Sequence, residues 1–125
     1  MNIPADLKYT KDHEWARIED DTATIGITDF AQGELGDIVF IEMPQVGGQI
    51  RQGDSCGSIE AVKAVSDLFT PLSGEVLEVN GELESDPQLI NQDAYGRGWI
   101  FRIRLSDAGE EDGLLTAKAY QELIG

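Results

Sequence analysis

The sequence predicts a mainly β fold closed by one C-terminal helix. Its 14 glycines are spread along 125 residues, which favours short strands joined by tight turns over a helical bundle. Several segments alternate polar and apolar residues, as strands with one buried face do. Only Leu114 to Ile124 spaces its apolar residues as a helix does. The length suits a single domain, residues 1–125, with a modest core.

Taken in order, Glu14–Glu19 and Thr22–Ile27 flank Asp20-Asp21 and read as two strands of a hairpin. Thr28 or Asp29 can cap a short helix through Phe30, Ala31 and Gln32, ending near Gly33 or Gly36. Asp37–Glu42 is rich in β-branched and aromatic residues and predicts a strand closed by Pro44. Gly47-Gly48 marks a turn before a short strand, Gln49–Arg51. Ser55–Ala61 and Val65–Phe69 form two arms around Lys63, and Pro71–Gly74 turns the chain into the strand Glu75–Val79. Ser85-Asp86-Pro87 predicts the start of a short helix through Ile90, with proline at its first position. Trp99–Leu105 alternates apolar and basic residues and predicts a strand. Gly109–Gly113 reads as a loose acidic stretch, and Thr116 as the cap of the last helix. A faint echo links Gly47–Ile50 with Ser73–Val76, as if two halves met at the Lys63 hairpin.

Composition narrows the function classes. Nine basic residues face 24 acidic ones, a net charge of −15; such a surface repels nucleic acid and anionic membrane and favours a soluble monomer. No apolar run approaches a membrane span, and Met1–Asp6 has no signal-type or arginine-rich pattern. Cys56 is the single cysteine, so no internal disulfide forms. His13 is the single histidine, which leaves no imidazole metal cluster and reads first as a packing residue. No glycine-rich phosphate loop precedes a helix. No metal site and no catalytic residue is expected, and the chain does not read as an enzyme.

Lys63 is the sole lysine between Lys11 and Lys118. A base or Schiff-base lysine needs desolvation, which a hairpin apex does not supply. An exposed turn on rigid strands instead presents its four-carbon stem to a modifying enzyme.

Glu60-Ala61-Val62-Lys63-Ala64-Val65-Ser66-Asp67, followed by Pro71–Asn80, resembles the lipoylation region of the glycine cleavage system H proteins. The likeness extends to Tyr9–Trp15, Thr24–Asp29, Leu35–Phe40, Pro87–Asn91 and Tyr95–Trp99, covering Leu7 to Ile124 in order. It implies a barrel-sandwich hybrid of two antiparallel sheets with the lysine on a protruding hairpin. It implies lipoic acid in amide linkage to Lys63, with Glu60, Val62 and Ala64 read by the lipoylating enzymes. It further implies a carrier that takes an aminomethyl group from glycine decarboxylase (P protein) to the aminomethyltransferase (T protein). Dihydrolipoamide dehydrogenase (L protein) would then reoxidise the dithiol, the chemistry belonging to the cofactor. In this family the loaded arm folds back onto the protein, and a carboxylate in a dry cleft suits its ammonium. Glu14 is the first expectation for that role, with Asp67 and Asp12 behind it. Phe30 and Ala94 depart from the residues common in the family, without touching the lysine hairpin. A lipoyl domain of a 2-oxoacid dehydrogenase would carry Asp where Val62 stands, and a biotin carrier would carry Met on both sides. An H-like protein that donates lipoyl groups to 2-oxoacid dehydrogenase complexes is the alternative role. The expected location is the bacterial cytoplasm, or the mitochondrial matrix for a processed organellar form.

Overall fold

The computed structural model describes residues 2–125. Met1, the first residue of the expected domain, lies outside them. Nine strands make two antiparallel sheets among the described residues. The larger contains β1 (Lys8–Tyr9), β2 (Glu14–Glu19), β3 (Thr22–Ile27), β5 (Gln49–Ile50), β8 (Gly74–Val79) and β9 (Phe101–Leu105), in the order β1-β2-β3-β9-β8-β5. The smaller contains β4 (Ile38–Glu42), β6 (Ser55–Ala61) and β7 (Val65–Phe69), with β6 central. The core lies between them, where Ile25, Val76 and Ile103 of one sheet and Ile41, Ile59 and Leu68 of the other belong to one buried cluster. Each fully buried aliphatic side chain stabilises this arrangement by ~1.5–3 kcal/mol relative to exposure.

The hairpins follow the sequence reading closely. Glu19 faces Thr22 across a two-residue turn in which Asp20 takes φ +55, a left-handed conformation that Asp tolerates better than most residues. The two segments that echo one another become direct neighbours: Gln49 pairs with Glu75 and Ile50 with Gly74. Helix α1 (Asp29–Leu35) is capped by the Thr28 hydroxyl, which accepts from the Ala31 N–H, and ends at Gly36. Helix α4 (Ala117–Ile124) is capped in the same way by Thr116.

Elsewhere the structure corrects the sequence reading. The helix expected from Ser85–Pro87 through Ile90 is two single turns, α2 (Glu82–Ser85) and α3 (Leu89–Gln92). Pro87 disfavours helical geometry at the residue before it, and Asp86 accordingly sits at φ −143. The last strand starts at Phe101, not Trp99, because the Trp99 N–H turns back to the Gly96 carbonyl. Strand β5 stops at Ile50. Ala108–Gly113 forms a 3-10 helix rather than a loose stretch: Asp107 caps it, and Glu110 receives both the Ser73 N–H and the Ser73 hydroxyl at 2.8 Å. Strand β1 had no sequence counterpart. Two residues cannot show a period, and it exists because Tyr9 pairs with Trp15 on one side and bridges Leu115 on the other.

A second apolar cluster fastens α4 to this end of the molecule. Tyr120 stacks on Tyr9 with ring centroids 4.8 Å apart and planes within 8°. The Tyr120 hydroxyl lies 2.8 Å from both His13 Nδ1 and Thr28 Oγ1. His13 is therefore a packing residue, as its isolation suggested.

Two glycines give opposite expectations. A Cβ on Gly57 would collide with the Glu42 carbonyl beside a register shift in β6, whereas one on Gly33 in α1 meets open space. Gly57→Ala should lower stability by ~2 kcal/mol, and Gly33→Ala should raise it by ~0.5–1 kcal/mol. Urea denaturation checks both, as opposite shifts of midpoint with unchanged slope.

Candidate functional site

Lys63 stands at the apex of the β6–β7 hairpin, exposed like Val62, Ala64 and Val65 around it. Among the described residues its amine forms no ion pair. The apex is exposed but not loose. Ala61 N–H donates to the Ala64 carbonyl at 2.7 Å, closing the turn, and Val62 N–H donates to the Asp37 carbonyl at 3.0 Å. That second bond docks the apex onto the junction between α1 and β4. Gly36, in that junction, has φ +80 and lies under the lysine stem: a Cβ there would sit 3.3 Å from Lys63 Cε. The hairpin protrudes less freely than expected, because its tip is fastened to a neighbouring element.

Strand β7 is an edge of the three-stranded sheet. From Val65 to Phe69 it covers roughly 13 Å at ordinary strand rise. At its far end is a cleft of about 270 Å³ lined by Thr10, Asp12, Glu14, Phe69, Thr70 and Leu114, among others. Between apex and cleft lies a second hollow, bordered by Asp12, His13, Phe30, Leu35 and Ser66. Asp12 belongs to both. Phe30, expected to lie apart from the lysine hairpin, thus shares a hollow with Ser66 of β7.

The turn from Thr10 to Glu14 builds the acidic wall. The Thr10 hydroxyl donates to Glu14 Oε1 at 2.7 Å and accepts the Asp12 and Glu14 N–H groups at 3.2 Å. His13 takes φ +69 within the turn. Glu14 is only 2% exposed. Burial pushes its carboxyl up to about 8, aided by the Asp12 charge and opposed by the Thr10 hydroxyl and the Phe69 N–H. Cys56 lies close enough to feel Glu14, and burial first, then that charge, pushes its thiol up to about 12. A thiol held protonated in this way is a poor nucleophile.

The residues singled out from sequence fall into three groups. Asp12 and Glu14 line one cleft. Lys63, Val62 and Ala64 form the apex. Glu60 pairs with Phe40 and Val65 on the exposed face of the small sheet, and Asp67 pairs with Ser58 on that same face, exposed and not lining the cleft. Sequence reasoning missed Thr10 and Phe69 in the cleft and Gly36 beneath the lysine. The Thr10-Lys11-Asp12-His13-Glu14 run lies inside the Tyr9–Trp15 segment that resembles the family, but nothing in it says that its threonine would bond its glutamate.

Known proteins share both the sequence and the fold that carry this cleft and this solvent-facing lysine. Residues 7–125 match the family described as glycine cleavage H-protein. The chain belongs to the glycine cleavage H-protein family. A glycine cleavage system H protein of Staphylococcus haemolyticus is 51% identical over 125 residues, covering 100% of this chain and 99% of its own. One from Symbiobacterium thermophilum is 56% identical over 119 residues, covering 95% and 93%. The crystal structure of a glycine cleavage system H protein from Mycobacterium marinum superposes with a TM-score of 0.92 at 43% identity, covering 98% of this chain and 99% of that one. This member of the family is a lipoyl carrier in glycine cleavage, a non-catalytic component of a multienzyme system. The lipoyl-donating alternative is not favoured by these matches. No helix among the described residues is long and apolar enough to cross a membrane.

The buried carboxyl has a pH signature. In the unfolded chain Glu14 titrates near 4.5 and in the folded protein near 8, so between those values the folded state holds an extra proton. Its stabilising effect is complete below pH 4.5 and is lost as pH rises through 8. Glu14→Gln should therefore gain Tm relative to wild type as pH increases from 5 to 8, with the gap level above 9. A gap that stays constant from pH 5 to 9 would show that Glu14 ionises normally.

Proposed function

We propose that Lys63 Nζ is the amide acceptor of lipoic acid and that the Asp12–Glu14 cleft receives the far end of the modified arm. The observation that carries this is the pairing of an exposed, uncommitted amine with a cleft holding a buried carboxyl, joined along one strand edge. The residues fit the group: Val62 and Ala64 leave the amine sterically open, and the turn beneath it is closed by backbone bonds that do not involve the side chain. Once attached, the lipoyl group supplies the dithiolane that accepts and releases the one-carbon amine.

The chain's own part is binding and exclusion of water. A primary ammonium entering the cleft meets Glu14, whose carboxyl is held there by Thr10, with the charge of Asp12 beside it. Pairing with that cation favours the ionised carboxylate, so entry releases a proton from Glu14. Phe69 and Leu114 add apolar surface to the wall. Cys56, held protonated, does not compete as a thiolate for a nearby disulfide.

In this reading residues 1–125 act as one carrier domain, a cytoplasmic monomer that visits the P, T and L proteins in turn. The acidic surface, net −15, suits brief encounters with basic partner surfaces. Glu60, Val62 and Ala64 are the features nearest the amine that a lipoylating enzyme would meet.

Intact-mass spectrometry after treatment with a lipoate ligase, ATP and lipoic acid should show one lipoyl addition confined to the Lys63 peptide, and none in Lys63→Arg. Modification of Lys11 or Lys118 instead would overturn the assignment. With P protein, glycine–bicarbonate exchange should vanish in Lys63→Ala. Glu14→Gln should lower aminomethyl transfer to T protein by roughly tenfold, the difference between a charged and a neutral hydrogen-bond partner. An unchanged rate removes Glu14 from the cleft's function.

A further inference from the structure

We propose that Asn91 is a positioning residue for the acceptor amine, holding the perch on which the Lys63 apex rests. This extends, and rests on, the reading of Lys63 as the lipoyl acceptor. Asn91 belongs to α3, a single turn whose Leu89 and Ile90 are buried in the main core. Its side chain points away from that core to the junction between α1 and β4. Asn91 Nδ2 donates to the Gly36 carbonyl at 2.8 Å and to Gln32 Oε1 at 3.0 Å, while Oδ1 accepts the Ile38 N–H at 3.0 Å.

Two of these bonds, to Gly36 and from Ile38, bracket one residue, Asp37. Its carbonyl is the group that receives the Val62 N–H from the hairpin apex at 3.0 Å. The path is continuous: core, α3, Asn91, the Gly36 and Ile38 backbone, the Asp37 carbonyl, Val62, Lys63. The same junction places Gly36 under the lysine stem. Ile38 is buried in the core and Leu35 packs against it, but between them the Asp37 side chain is exposed and Gly36 has none, so the Gly36-Asp37 backbone itself has no side-chain packing to fix it. A carboxamide is the group that can do this, with two donors for the Gly36 and Gln32 oxygens and an acceptor for the Ile38 N–H.

The expected consequence is on recognition rather than on the reactivity of the amine. If the perch loosens, the apex spends part of its time undocked, and apparent affinity for an enzyme that needs the docked form falls by that fraction. Lys63 itself, once bound, is unchanged. The signature is a raised KM for the carrier with kcat preserved, together with faster amide exchange at Val62.

Asn91→Ala should raise the KM of a lipoate ligase for the unmodified carrier about fivefold, with kcat changed by less than about twofold, as expected for losing one anchoring set of hydrogen bonds. Exchange of the Val62 amide, measured by NMR and normalised to Ile103 in the large sheet, should quicken by a similar factor. Where Asn91→Ala does not fold, Asn91→Asp serves; it keeps an acceptor for Ile38 and sets an oxygen against the Gly36 carbonyl. Unchanged KM and unchanged Val62 exchange in a folded variant would overturn the proposal, as would a fall in kcat alone. Wild-type carrier left unmodified at Lys63 would instead refute the acceptor reading, and Val62 exchange would still decide whether Asn91 holds the apex.

Discussion

A sheet edge must be covered, and the way β7 is covered organises the functional half of this molecule. An edge strand leaves backbone groups without partners in the ladder. Among the described residues no further strand arrives. The Thr10–Glu14 turn of the larger sheet lies alongside, and the Glu14 carboxyl faces the Phe69 N–H. That choice leaves a cleft between the two sheets where close pairing would have left none, and it puts a carboxyl out of water. Burial then holds the proton on Glu14 well into neutral pH. The cleft and its unusual acid are two results of one packing solution.

The other end of the same edge meets an opposite demand. An acceptor side chain must be reachable, yet a flexible loop would make recognition costly in entropy. The β6–β7 apex meets both conditions by docking through its backbone and leaving its side chains free. Val62 gives its N–H to Asp37 while its own side chain remains 75% exposed. Gly36 lets the lysine stem pass over the junction because it has no Cβ and accepts a left-handed φ. The far wall is secured as well, since the Tyr120 hydroxyl touches both His13 in the acidic turn and Thr28 at the start of α1. One buried tyrosine from the last helix therefore ties together the two elements that flank the second hollow.

Much of the fold was legible in the sequence because its signals are local. The pair Glu14–Glu19 and Thr22–Ile27 and the pair Ser55–Ala61 and Val65–Phe69 emerged at the expected boundaries. In each, alternation sets the faces and a short turn sets the register. Thr28 and Thr116 were readable as caps because a hydroxyl before a helix has a definite use. The failures came where stability is borrowed from distant residues. The 3-10 helix at 108–113 is held through Glu110 by Ser73. Strand β1 depends on Trp15 and Leu115. No window of neighbouring residues contains those partners.

The site divides along the same line. From sequence alone came the β-rich fold, the isolated and exposed lysine, the family likeness and the suspicion that a carboxylate near His13 would matter, since all of these are written in residue type and order. Only the tertiary structure decided which acids converge. Asp12 and Glu14 line one cleft, brought together by the turn in which His13 takes φ +69, while Asp67 sits exposed opposite Ser58, nearer the apex than the Phe69 end of β7 that borders the cleft. Only the tertiary structure, too, made Glu14 a retained proton and set Asn91 beneath the lysine, 28 positions further along the chain. Burial and hydrogen bonding depend on what surrounds a group in space, and those surroundings come from segments that the linear order keeps apart.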